Sequence, residues 1–169
     1  MRKIIVAATV LLVLAAVNFS IYGREQLLAN GRVVLLELAP VDPRSLMQGD
    51  YMALRFKIAN DAFRDKPAGE LKDGRMLAAL DEHGVASFRR LADGTPPAAG
   101  EVLLRYRVRN SLPKFATNAF FFQEGQAAAY QNARYGEFRV AADGDMILTA
   151  LRAADFTVLG LAGQSTTHP

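Results

Sequence analysis

EVLLRYRVR, at residues 101–109, alternates strictly between two faces. A two-residue period with apolar side chains on one face is typical of a half-buried β-strand. One face carries Val102, Leu104, Tyr106 and Val108, and the other carries Leu103, Arg105, Arg107 and Arg109. The arginine face is a candidate binding surface for an anionic partner or a lipid headgroup, and the alternative is a charged face that is simply solvated.

A second alternating stretch, DYMALRFKI, lies upstream at residues 50–58. Its apolar face carries Met52, Leu54, Phe56 and Ile58, opposite Tyr51, Ala53, Arg55 and Lys57. The pattern predicts a half-buried strand over the whole stretch. A further strand that runs into a turn is predicted at 32–40, RVVLLELAP, because it is rich in apolar and β-branched residues and ends at a proline.

Two hairpins are predicted from short polar loops that contain glycine. The first joins 75–80 to 85–91, and the second joins 135–141 to 146–152 through Asp143-Gly144, which suits the positive φ angles of a tight turn. Shorter strands are predicted at 119–122 and 156–159, with Phe120, Phe121 and Phe122 in the core, and only 124–134 looks helical. The sequence therefore predicts a mostly antiparallel β-sandwich or barrel-like domain with one short helix.

The N-terminus has the pattern of a membrane anchor. Residues 4–22 are almost entirely apolar, and as a helix they cover roughly the 30 Å of a bilayer's hydrocarbon core. The helical pattern continues to Asn30, where Gly31 provides a stop signal. A cleaved signal peptide is the alternative, although Val13, Ala15 and Val17 make a poor cleavage site.

Charge and composition narrow the function classes. Arg2 and Lys3 favour a cytoplasmic N-terminus with the β domain outside, although Arg24 weakens this asymmetry. Without the first 22 residues the chain has 18 basic and 17 acidic residues, so we expect no nucleic-acid partner. The chain has no cysteine, and its two histidines lie in a predicted turn and in the tail, so we expect no metal and no cofactor.

The stretch DPRSLMQGDYMALRF, at residues 42–56, contains a Gly-Asp-Tyr triplet at the start of the predicted strand. Gly49 suits a sharp corner because it has no Cβ, and the Asp50 carboxylate can accept hydrogen bonds from free N–H groups in a turn. Tyr51 then begins the polar face of the strand. The triplet is therefore interpreted as a structural corner.

The same residues carry a resemblance to a family. GDYMALRF resembles the signature of the GDYXXLXY family, with Gly49, Asp50, Tyr51 and Leu54 in place and Phe56 where the family name has Tyr. The stretch from Phe120 to Leu151 is similar to the family's C-terminal half. The resemblance implies a bacterial protein of uncharacterised function anchored by one helix in the inner membrane, with its domain facing the periplasm, beside multi-pass membrane proteins. It implies no catalytic residues.

This reading divides the chain into an anchor helix with its extension at 1–30, a β-rich GDYXXLXY-like domain at 31–160 and a disordered tail at 161–169. The leading functional hypothesis is a non-enzymatic accessory or interaction role beside other membrane proteins, with the bilayer and a multi-pass protein as partners. A small-ligand or glycan-binding envelope protein is an alternative.

An enzyme is the other alternative, because signal peptidases also combine an N-terminal anchor, an outer β domain and a Gly-Asp motif. Aligning that motif on Gly49-Asp50 puts their nucleophilic serine on Val41, which has no nucleophile. Ser45 could act instead with Lys57 or Lys114 as its base, if the lysine were desolvated. Lys57, however, falls on the polar face of the predicted strand, so we expect it to stay protonated.

Overall fold

The computed structural model describes residues 2–39, 47–48, 51–64, 66–117 and 119–160. Gly49, Asp50, Ser45 and the predicted tail at 161–169 lie outside the described residues. Two helices are α1 (Arg2–Asn30) and α2 (Lys57–Phe63). The strands are β1 (Arg32–Glu37), β2 (Met47–Gln48), β3 (Tyr51–Ala53), β4 (Gly74–Leu80), β5 (Ala86–Leu91), β6 (Glu101–Arg109), β7 (Leu112–Lys114), β8 (Ala119–Phe121), β9 (Tyr135–Val140) and β10 (Met146–Arg152).

The strands form three antiparallel sheets, in the orders β1-β9-β10, β2-β3-β8 and β5-β4-β6-β7. A bridge between Leu35 and Val85 connects the first sheet to the third. At the other side, the Arg105 N–H donates to the Gly144 carbonyl at 2.9 Å and ties β6 to the β9–β10 turn. The sheets curve round one apolar core as a partial barrel, which confirms the predicted mostly antiparallel β class.

The long helix α1 ends where the sequence predicts. The Gly31 N–H donates to the Leu27 carbonyl at 2.9 Å, and Leu27 is buried against the β domain. Residues 3–30 are long and apolar enough to cross a membrane, and the apolar window of this segment is unburied. Large apolar side chains such as Leu12 and Phe19 are exposed along this helix.

The predicted strand at 50–58 is wrong in its second half. Strand β3 ends at Ala53, and α2 begins at Lys57. All four residues of the predicted apolar face are nevertheless buried: Met52, Leu54, Phe56 and Ile58. Apolar residues recur at helical spacing from Ile58 onward, at 59, 62 and 63, so the strand and helix patterns overlap. The alternation alone could not reveal where the strand ends and the helix begins.

Two other predicted elements are shorter than expected. The Ala-rich stretch 124–134 contains one 3₁₀ turn, Ala127–Tyr130, in which only Tyr130 is buried. It has no apolar stripe, and packing is what stabilises short helices in water. At 156–159 there is a single bridge, between Arg152 and Val158. Phe121 is 74% exposed, which corrects the expectation that the whole aromatic run is core.

The hairpins follow from their turn residues. Both predicted hairpins are confirmed, with Gly84 and Gly144 at positive φ. A third hairpin joins β6 to β7 through Asn110 and Ser111, which both have positive φ, as a two-residue type I′ turn requires. Its short second strand, Leu-Pro-Lys, carries too little pattern for sequence analysis to find.

The core is centred on three aromatic rings. Phe56 packs edge-to-face on Phe138 at 5.5 Å and on Phe115 at 6.0 Å between ring centroids. Tyr106 of β6 extends the cluster to Phe63 of α2 at 5.0 Å. Strand β3, which contains Tyr51 of the family motif, therefore meets α2 and two sheets in one core. This packing fixes the positions of β6 and β7 at the surface of the core.

Candidate functional site

The predicted arginine face is the main wall of a pocket. In β6, Val102, Leu104 and Tyr106 are buried in the core, so the alternate residues face outward. Arg105, Arg107 and Arg109 line a cavity of about 300 Å³ on this outer side. The structure thus brings together all three arginines that the sequence singled out.

Two further cations come from other elements. Arg24 of α1 and Lys114 of β7 line the same cavity. Lys114 pairs in register with Arg107 across the β6–β7 ladder, which places both side chains on the same face. We call this cavity the basic pocket. Among its lining residues, five cations face a single carboxylate, Asp145.

The cations of the basic pocket are not equally neutralised. Arg105 forms an ion pair with Asp145 at 2.7 Å, and this hydrogen bond raises the pKa of the guanidinium. Arg109 lies 3.4 Å from Asp73. The pKa of Asp73 is lowered, mainly because the Val108 N–H donates to its carboxylate at 2.7 Å.

The remaining cations of the pocket are available to a ligand. Within the described part of the chain, the side chains of Arg24, Arg107 and Lys114 have no carboxylate within ion-pair distance. Multiple cations around one cavity favour an anion with several oxygens, because each guanidinium or ammonium can donate charge-assisted hydrogen bonds. The pocket is therefore suited to a phosphate-like group.

The basic pocket lies close to the end of the apolar segment. Arg32 donates to the Glu101 carbonyl at 3.3 Å, so β6 begins beside the start of β1. From Arg32 back to Arg24 a helix descends about 12 Å, and from Glu101 to Arg105 a strand advances about 13 Å. Arg24, two residues after the apolar segment ends at Tyr22, lines the same cavity as the arginines of β6.

A larger groove adjoins the basic pocket through Lys114, which lines both. It has a volume of about 590 Å³ and lies between β3, α2 and β7. Its apolar surface includes Leu54, Phe56, Phe63, Leu71, Leu112 and Pro113. Its cationic side chains are Arg55, Arg64, Lys66 and Lys114, and none of its described lining residues is acidic. We call it the apolar groove.

The described residues of the family motif have packing roles. Tyr51 of β3 pairs with Phe121 of β8, and their rings lie 5.8 Å apart. Leu54 and Phe56 are 2% exposed, and Phe56 also bridges to Leu38 next to β1. These three residues therefore hold the motif strand between β8 and the core.

One of the two candidate bases of a Ser-Lys hydrolase, Lys57, is ion-paired. Lys57, now the first residue of α2, donates to Glu37 Oε2 at 2.9 Å. This hydrogen bond raises the pKa of the Lys57 ammonium, which favours its protonated form. His83 stacks on Phe156 at 4.8 Å, and no group of three metal-ligating side chains occurs among the described residues.

Sequence reasoning found the arginines but missed Arg24, Lys114 and Asp145 as their neighbours. The sequence relates Arg24 only to membrane orientation, and Asp145 falls in the loop of the second predicted hairpin, between 141 and 146. The apolar groove was missed entirely, because its walls are short elements and β7 is distant in sequence from β3 and α2. The turn residues Asn110-Ser111 are the one local signal that could have placed Lys114 beside Arg107.

Comparison with known proteins agrees with the motif. No curated protein and no solved structure matches the chain. The model of the GDYXXLXY protein family matches residues 13–151, which include most of α1, the motif and the strands from β1 to all but the last residue of β10. This match covers most of the chain. The protein therefore belongs to the GDYXXLXY family, whose function is unknown.

Proposed function

We propose that this protein is a non-enzymatic accessory protein, anchored by α1 in the bacterial inner membrane, whose β domain binds a neighbouring multi-pass membrane protein on the periplasmic side. The observation that carries the proposal is the convergence of Arg24 with the β6 arginines in the basic pocket. With α1 across a bilayer, these cations lie at the level of the lipid phosphates, which holds the domain against the membrane surface.

Orientation follows from the charges that flank α1. Arg2 and Lys3 precede the apolar segment, and positive residues favour the cytoplasmic side. Arg24 weakens this asymmetry, whereas the other cations of the basic pocket lie too far along the chain from α1 to influence its orientation. A reporter fused after Pro169 should be active only outside the cytoplasm, and cytoplasmic activity would invert the proposed topology.

Strand β8 is the surface that we propose for a protein partner. This strand lies at the end of the β2-β3-β8 sheet as described, and its Phe121 is 74% exposed. An edge strand offers backbone hydrogen bonds, and an exposed aromatic ring offers an anchor, which together suit an extended loop of a partner. We expect the extracytoplasmic loop of a multi-pass protein to pair here.

The experiment is site-specific photo-crosslinking of the full-length protein in native membranes. A crosslinker at Phe121 should give one recurrent adduct with a multi-pass protein, whereas a crosslinker at Glu82, an exposed position in the β4–β5 turn, should give none. Identical, diffuse adducts from both positions would contradict the proposal. Purified protein that retains a small molecule and gives no adduct would favour the ligand-binding alternative.

Catalysis through Lys57, one of the two candidate bases, is disfavoured by the state of that side chain. A Ser-Lys mechanism requires a neutral lysine in an apolar site, and Lys57 is instead half-exposed beside Glu37. Ser45→Ala should therefore leave the protein folded and able to complement a deletion strain. A folded Ser45→Ala variant that fails to complement would support the hydrolase instead.

A further inference from the structure

We propose that the apolar groove and the basic pocket together bind one single-chain anionic phospholipid, with the acyl chain in the groove and the phosphate between Arg107 and Lys114. The inference uses the placement of the domain at the bilayer and does not depend on a protein partner. It assigns a ligand to two cavities that share one residue.

The acyl chain is indicated by the groove itself. Its volume of about 590 Å³ is in the range of small-molecule sites, which are mostly apolar with a few placed polar groups. Phe56 and Phe63 form part of its buried floor, and Leu112, which is 53% exposed, lies along its open side. Covering Leu112 with a methylene chain removes apolar surface from water.

The phosphate is indicated by the charges at the junction of the two cavities. Lys114 lines both, and its register partner Arg107 lines the basic pocket. Neither side chain has a carboxylate partner among the described residues, whereas Arg105 and Arg109 do. A phosphate presents several oxygens to such a pair, and guanidinium binds phosphate with two parallel hydrogen bonds.

We assign one acyl chain to the apolar groove, which adjoins the phosphate position. Its other described charged lining residues, Arg55, Arg64 and Lys66, are all cationic. Arg64 is partly neutralised by Asp61 at 3.1 Å, so Arg55 and Lys66 add most to the positive field around the chain's path. The positive field disfavours a zwitterionic headgroup relative to an anionic one of the same chain length.

The test uses full-length protein in phosphatidylcholine nanodiscs, titrated with lysophosphatidylglycerol that carries a fluorophore on its acyl chain. We expect saturable binding that the Arg107→Gln/Lys114→Gln double variant weakens by at least about tenfold, since it removes the charged hydrogen-bond donors to the phosphate. Leu112→Asp should weaken binding as well, because it places a carboxylate beside the chain. Arg89→Gln, an exposed charge on β5 outside both cavities, is the matched control.

Competing ligands separate the sources of affinity. Unlabelled lysophosphatidylglycerol should displace the probe, lysophosphatidylcholine of equal chain length should do so at least tenfold more weakly, and glycerol phosphate without a chain should fail. A fatty acid that competes equally well would overturn the phosphate assignment. Equal binding of both lysolipids, unchanged in the double variant, would overturn the site altogether.

Folding and partner binding are checked separately. Circular dichroism and thermal melts should show that the double variant is folded, because all of its substituted groups are surface side chains. If it is folded and still binds lysophosphatidylglycerol as the unmodified chain does, the inference is wrong. If the unmodified protein binds the lysolipid but gives no crosslink from Phe121, the accessory role is contradicted and the lipid site is still supported.

Discussion

Arg152 of β10 and Glu137 of β9 form a largely buried ion pair in which Arg152 Nε lies 2.5 Å from Glu137 Oε2. The Thr149 hydroxyl donates to the other carboxylate oxygen at 3.0 Å, from a bulge that sets Leu148 and Ala150 out of register. Arg152 also donates to the Phe156 carbonyl at 2.6 Å. The pair therefore connects two strands to the loop that follows them.

Breaking this pair should destabilise the domain. Arg152→Met leaves the Glu137 carboxylate, whose side chain is 11% exposed, without its counter-charge. We expect a loss of about 3 kcal/mol, because an uncompensated buried charge is costly. The Lys57→Met variant is the control, since its pair with Glu37 is half-exposed and should contribute little. Denaturant unfolding in detergent measures both, and equal effects would refute the argument.

A close approach between the β9–β10 turn and β6 should make Gly144 sensitive to substitution. Gly144 has a φ of +90°, and a Cβ there would lie 3.1 Å from the Arg105 backbone nitrogen. Gly144→Ala should cost about 2–3 kcal/mol, from strained φ and from displaced backbone. Gly94 has a φ of +95° with open space around its Cβ position, so Gly94→Ala should cost only about 1–2 kcal/mol.

Both glycines have positive φ, so the difference in stability between the two variants measures the contact of Gly144 with β6. Thermal melts of the full-length protein provide the comparison. If the two variants have the same melting temperature, the close approach of Gly144 to β6 does not add to the cost of substitution. Because Arg105 lies in the basic pocket, we also expect Gly144→Ala to weaken binding of the lysolipid probe.

Phe56 should contribute more to stability than Phe121, another phenylalanine near β3. It is 2% exposed between Phe115 and Phe138, so Phe56→Ala should cost about 3–5 kcal/mol through lost burial and a cavity. Phe121→Ala should change the free energy of unfolding by less than about 1 kcal/mol, because its ring is mostly solvated. A larger loss at Phe121 would show that the free domain already uses this ring for packing.

Acid should weaken the fold through its paired aspartates. The pKa of Asp93 is lowered to about 2, first because the Thr95 N–H donates to its carboxylate and then because Arg90 lies 2.7 Å away. An unfolded Asp titrates near about 3.9. The contribution of Asp93 is therefore fully present above about pH 4 and is lost as the pH falls through about 2.

The matched variant for this effect is Asp93→Asn, which cannot titrate. Its melting temperature should fall below that of the unmodified chain at pH 5, and the gap should narrow towards pH 2. The pKa of Asp73 and of Asp155 is also lowered, so both proteins should lose stability in acid. A gap that stays constant from pH 5 to pH 2 would contradict the assignment.

Local pattern was enough to predict the class of this protein. The apolar segment, the Asn30-Gly31 stop, the alternation at 101–109 and the glycine turns each depend on neighbours in sequence, and each is found in the structure. The same is true of the family motif, which identified the family from a few positions. The arginine face could be proposed because a strand places every second side chain on one side.

The tertiary structure decided what those arginines lie beside. Arg24 lines their cavity from α1, and Lys114 reaches it through the Asn110-Ser111 turn into β7. Of these two contacts, only the turn leaves a signal in the local sequence. The core likewise decided the change from strand to helix between Ala53 and Lys57. The positions of Phe56 and Ile58 fit both the strand period and the helix period, and burial against Phe138 and the residues around α2 favoured the helix. Long-range packing chooses where local preferences are balanced.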